Sequence, residues 1–213
     1  MGHEPFNLKK NKNMKIINNK KEAIQELKRI STRTHSEKNN KINDIVEEIL
    51  KEVKNYGDLA VEKYTKKFDG FTPNPMQVSA EDLKNAWDEI DSNLKRSLEV
   101  AHKRIKIFHQ KEIPSSFTIK GEHGDTVQRR WKAVKNAGIY IPGGRAAYPS
   151  TVLMNAIPAK VAGVEEIIMV SPGNKEGEIN KTVLAAAHLS GINKVFRIGG
   201  AQAIGALAFG TNQ

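Results

Sequence analysis

The chain has 213 residues, no cysteine, and 34 Lys and Arg against 24 Asp and Glu, for a formal net charge of +10. That length holds a real core and one domain with part of another, and the missing cysteines exclude disulfides and thiolate metal sites within the chain. The positive charge does not by itself indicate a nucleic-acid partner, because the lysines lie beside Glu or Asp in stretches such as KKEAIQELKR and EEILKEVKN, without the clustering and stacking aromatics that nucleic acid needs.

Solvated helix faces are the stronger reading of that charge, and nucleic acid is the minor alternative. No membrane partner is expected, since no apolar run approaches the ~20 residues of a membrane span. The first residues, MGHEPFNLKKNKN, are polar and lack the apolar core of a signal peptide. With the absence of cysteine this points to a cytoplasmic protein.

Residues 1–13 read as a disordered leader, and Met14 opens the structured chain. A first helix is expected over Lys21–Ile30, followed by a polar connector from Ser31 to Asn40. Ile42, Ile45, Val46, Ile49, Leu50 and Val53 then recur at i, i+3, i+4 and i+7, the spacing of one apolar helix face. Gly57 ends that helix, and Asp58 is placed to cap the next, which runs through Leu59, Val61, Tyr64 and Phe68. Asp69-Gly70 and Pro73-Asn74-Pro75 mark a loop. Ser79 with Asp82 forms a candidate N-cap for a helix through Ile90. A long helix over Ser92–Glu112 follows, with Leu94, Leu98, Ala101, Ile105 and Phe108 on one face, and Pro114 closes it. Phe117–Ile119 and Thr126–Gln128, separated by Gly121-Glu122-His123-Gly124, read as a β-hairpin.

From Gly138 the pattern changes to alternation. Ile139–Ile141, Glu166–Val170 and Lys194–Ile198 are short apolar strands, and helices over Ser150–Val161, Ile179–Leu189 and Ala201–Phe209 follow them in turn. Three strand–helix units argue for a parallel sheet. The predicted fold class is α/β: a helix-rich region with a hairpin over 14–135, then an incomplete Rossmann-like unit over 136–213. Ending directly after a helix, with no element to cover the sheet edge, this reads as a truncated architecture.

Two glycine pairs stand where strand gives way to helix. Pro142-Gly143-Gly144 follows the first strand, where glycine lets a backbone approach a ligand and a helix start offers free N–H groups. A tight turn without ligand accounts for it equally well. The dinucleotide fingerprint G-x-G-x-x-G is absent, and the second strand ends in Val170-Ser171-Pro172 with no acidic residue for a ribose. Gly199-Gly200 precedes Gln202, whose amide could reach a ligand on the strand ends or cap its own helix. Gly205 reads as a close-packing position.

The remaining candidates are weaker. Arg145 is the better anion ligand; Arg129 and Arg130 beside Trp131 fit a hairpin edge as well as a phosphate site. The six histidines make no metal constellation. His102 and His109 share a helix face but stand about 10 Å apart along the axis, and His123 and His188 lie in a turn and near a helix end.

The wording of four segments is specific. GIYIPGG over 138–144, YPSTVLM over 148–154, IPAKVAG over 157–163 and GGAQAIGALAFGT over 199–211 closely resemble histidinol dehydrogenase, in that family's order and spacing. Tyr56-Gly57-Asp58 and Phe68-Asp69 look like it too. The resemblance covers nearly the whole chain from about Met14. It implies a cytosolic, homodimeric, zinc-dependent enzyme that oxidises L-histidinol to L-histidine through the aldehyde with two NAD+. Carried over by position, Tyr140 and Gln202 match residues that contact NAD. The family's zinc ligands, its catalytic Glu-His pair and a further NAD-contacting Asn fall after Gln213, so the chain is expected to hold part of the NAD platform and neither catalytic nor metal-binding residues. The alternative is a non-catalytic NAD-binding or assembly fragment of the same fold.

Overall fold

The computed structural model describes residues 16–31, 37–143 and 147–212. The leader expected over 1–13, with Met14, lies outside them. The chain forms two compact units, residues 1–45 and 46–213.

In the first unit, α1 (Lys20–Ser31) matches the first expected helix and buries no residue. Asn19 Oδ1 accepts from the N–H groups of Lys21 and Glu22, satisfying two of the donors a helix start leaves free. α2 (Glu37–Tyr56) begins in this unit, four residues before the end of the expected polar connector.

The second unit is an α/β layer. β3 (Asn136–Tyr140), β4 (Glu166–Val170) and β5 (Lys194–Phe196) form a parallel sheet in the order β3-β4-β5, joined through α6 (Pro149–Val161) and α7 (Lys181–Leu189), with α8 (Gly200–Phe209) after β5. Alternation along each strand sorts the side chains to two faces. On one face Ile139, Ile167, Met169 and Val195 pack with Val152, Leu153 and Ala156 of α6 and Val183 and Ala186 of α7. Leu83 of α4 (Ala80–Glu89) and Leu98 of α5 (Ser92–Glu112) complete that layer. On the other face Val170, Phe196 and Ile198 pack with Val53 of α2, Val61 and Tyr64 of α3 (Asp58–Asp69), and Ala203 of α8. α6 and α7 thus lie on one side of the sheet and α8 on the other.

Several local readings hold. Ser79 Oγ accepts from Asp82 N at 3.0 Å while Ser79 N donates to Asp82 Oδ2 at 3.4 Å, a reciprocal capping box. α5 spans Ser92–Glu112 as read. β1 (Phe117–Lys120) pairs antiparallel with β2 (Thr126–Arg129), and all eight residues are exposed.

Two readings change. Asp58 does not cap α3; Gly57 does, with φ 53 and no side-chain bond, and Asp58 Oδ2 instead accepts from Asn212 N. β5 ends at Phe196, two residues short of the expected Ile198, and its outer edge is met by residues 76–78. Val78 N donates to Val195 O, Arg197 N donates to Met76 O, and Gln77 bridges Phe196. One edge of the sheet is therefore covered, against the expectation of a bare one. Among the described residues, no strand pairs the outer edge of β3.

Candidate functional site

In a doubly wound sheet the first two crossover helices lie on one face, the third crosses to the other, and ligands bind outside the carboxyl ends of the strands at that switch. Here α6 and α7 share a face and α8 changes side, so the carboxyl end of β3 and the start of α8 are the places to examine.

Tyr140 is the last residue of β3 and is half-buried. Its hydroxyl accepts a hydrogen bond from the backbone N–H of Gly200, 3.1 Å away, at the first turn of α8. Gln202 follows within that turn, is fully buried, and has no partner for either Oε1 or Nε2 among the described residues. The reading in which Gln202 caps its own helix is not realised: the N-cap is Gly199, with no side-chain hydrogen bond. A buried primary amide with all its hydrogen-bonding capacity unspent is costly, and such groups call for an explanation. The two residues singled out from the sequence are thus brought together through Gly200.

The glycines divide by what they touch. A Cβ at Gly143 would lie 2.5 Å from Cγ of Pro172, and one at Gly199 would lie 2.6 Å from its Cβ. Both clear space for Pro172, at the end of β4, so close approach of a ligand is not what these two positions require. Gly205 packs as read, with its Cβ position 3.2 Å from Leu50 and Val53. Gly200 differs. Its φ is +62, and a Cβ there would meet Oε1 of Gln202 at 2.6 Å.

Beside these loops a crevice of about 670 Å³ opens at the ends of β3 and β4, lined by Pro142, Gly143, Pro172, Asn174, Asn180 and Lys181 among others. Asn180 Oδ1 accepts from Thr182 N and caps α7. Asn174 Oδ1 holds the preceding loop by accepting from Glu176 N and Glu178 N.

The weaker candidates do not join this site. Gly144 and Arg145 lie outside the described residues. The Arg129 guanidinium stacks 4.9 Å from the Trp131 ring centre, and Arg130 donates to Gln128, so both are engaged at the hairpin edge. His109 Nδ1 contacts Glu112 at 2.5 Å, and His188 stacks on Trp87. Burial, then Lys106 and Lys160, pushes the His102 pKa down, as for a neutral packing residue. Among the described residues no group of three or more His, Cys, Asp or Glu side chains is placed to hold a metal ion. No helix there is long and apolar enough to cross a membrane.

Sequence reasoning missed Pro172 and the role of Gly200. The glycine pair was the visible signal: that Gly143 and Gly199 face Pro172 is decided by contacts distant in sequence, and that Gly200 faces the Gln202 amide by the turn that starts α8.

The model of one protein family, histidinol dehydrogenase, matches residues 32–213. The histidinol dehydrogenase of Prochlorococcus marinus strain MIT 9312 is 88% identical over 213 residues, covering 100% of this chain and 48% of that protein. That of Aquifex aeolicus is 52% identical over 170 residues, covering 79% of this chain and 38% of that protein. The crystal structure of histidinol dehydrogenase from Elizabethkingia anophelis superposes with a TM-score of 0.76 at 36% identity, covering 80% of this chain and 40% of that one. The chain spans about half the length of the first two Prochlorococcus relatives, at 48% and 47%. With most of its length matched by the family model and close relatives along its whole extent, the chain belongs to the histidinol dehydrogenase family.

Proposed function

We propose that this chain supplies part of the NAD platform of a cytoplasmic enzyme that oxidises L-histidinol to L-histidine through the aldehyde, with two NAD+. The observation that carries this reading is the Gln202 amide, buried and unpartnered at the start of α8, two residues after the Gly200 N–H that donates to the Tyr140 hydroxyl. NAD supplies the hydride acceptor. Tyr140 closes the end of β3 and would orient the cofactor, its hydroxyl held by the Gly200 N–H; the Gln202 amide would offer the cofactor a donor and an acceptor. Apolar walls at Pro142 and Pro172 would exclude water from the strand ends.

The zinc that the resemblance implies finds no fitting ligand set among the described residues. A homodimer is likewise part of the proposal, by resemblance alone. A second reading is an NAD-binding or assembly fragment of the same fold, without dehydrogenase chemistry of its own.

Two measurements test these readings. Calorimetric titration of the chain with NAD+ is expected to show saturable one-site binding, and no heat of binding would remove the NAD platform. NADH formation from histidinol by the chain alone would remove the fragment reading, and its absence in the presence of NAD binding would favour it.

A further inference from the structure

Of the glycines Gly143, Gly199 and Gly200 at the carboxyl end of this sheet, the first two are explained by Pro172. Gly200 is not. We propose that Gly200 is a positioning residue, whose missing side chain leaves the Gln202 amide free to aim at its ligand; this rests on the reading that Gln202 belongs to an NAD site.

The geometry at Gly200 is specific on both sides. Its N–H donates to the Tyr140 hydroxyl at 3.1 Å. On its other side, a Cβ would stand 2.6 Å from Oε1 of Gln202 and 3.3 Å from both Cδ and Nε2. The nearest atoms are thus the whole amide head. An alanine there would not strike a rigid wall; it would push a flexible side chain out of place while the backbone stayed paired. The positive φ of +62 adds a backbone preference for glycine, but that preference alone does not involve Gln202. An amide that is buried with no partner has the most to lose from displacement, because its two polar atoms must find a ligand where they stand. One glycine therefore sets the direction of one residue of the site and anchors the hydroxyl of the other.

The test is a double-mutant cycle in the 213-residue chain, read by NAD+ titration. Gly200→Ala and Gln202→Ala are each expected to weaken NAD+ binding about tenfold, the loss typical of one misplaced hydrogen-bonding group. The double variant is expected to bind no more weakly than Gln202→Ala alone. Gly57→Ala separates backbone strain from contact, since Gly57 has φ +53 with nothing within 4 Å of its Cβ position, and it should bind NAD+ as the unaltered chain does. Gly200→Asn tolerates positive φ while still carrying a Cβ, so it keeps the measurement decisive if Gly200→Ala does not fold. Unchanged binding in a folded Gly200 variant, or losses that add in the double variant, would overturn the inference and leave the NAD site standing. Absence of binding by the unaltered chain would remove both.

Discussion

Pro172 occupies the space that a side chain on Gly199 would need: the two Cβ positions would lie 2.6 Å apart. Gly143 meets the same proline from the other side, so the loop after β4 is held between those after β3 and β5. Gly199→Ala and Gly143→Ala should each destabilise the fold by about 1–3 kcal/mol, the usual cost of forcing a methyl into a filled space. Urea unfolding midpoints at constant m-value check this.

Met169 of the central strand β4 is fully buried, whereas Met154 on α6 is more than half exposed. Met169→Ala should cost about 2–5 kcal/mol through lost burial and the cavity left behind. Met154→Ala should stay within about 0.5 kcal/mol. Equal effects in paired unfolding curves would show that the sheet is not the core.

Asp69 carries a buried oxygen with no partner among the described residues, and burial pushes its carboxyl pKa up. The folded state then binds the proton more tightly than the unfolded one, so ionisation opposes folding. This penalty is absent below the ordinary carboxyl value and grows as pH rises through the folded one. Asp69→Asn should therefore stabilise the chain more at pH 7 than at pH 4. A gain that is the same at both values would contradict the assignment.

Ser79 and Asp82 close the start of α4 reciprocally, and Arg197 beyond β5 stands 3.6 Å from Asp82. Ser79→Ala should cost about 1 kcal/mol, and Ser79→Gly only a few tenths. Thermal unfolding of the two variants side by side checks the order.

This cap was legible because its signal lies within four residues; so were α5, closed by Pro114, and the hairpin, bounded by its turn. The family was legible from the strings around Tyr140 and Gln202, and the α/β class from strand–helix alternation. What the sequence hid is what long-range contact decides. Met76–Val78, just past the loop marked by Pro73 and Pro75, drew no assignment from the sequence, because its pairing with Val195, Phe196 and Arg197 is made far along the chain. Gly143, Gly199 and Gly200 looked equivalent because their difference is made by Pro172 and by the side chain of Gln202.

The pairing of Gln77 with Phe196 joins positions roughly 120 residues apart. At a synthesis rate of about 5–20 residues per second, residues 76–78 leave the ribosome on the order of ten seconds before their partner strand exists. During that interval Met76 and Val78, both buried in the finished fold, have no strand to cover them. For that interval the nascent chain carries an apolar segment whose partner strand has not yet been made.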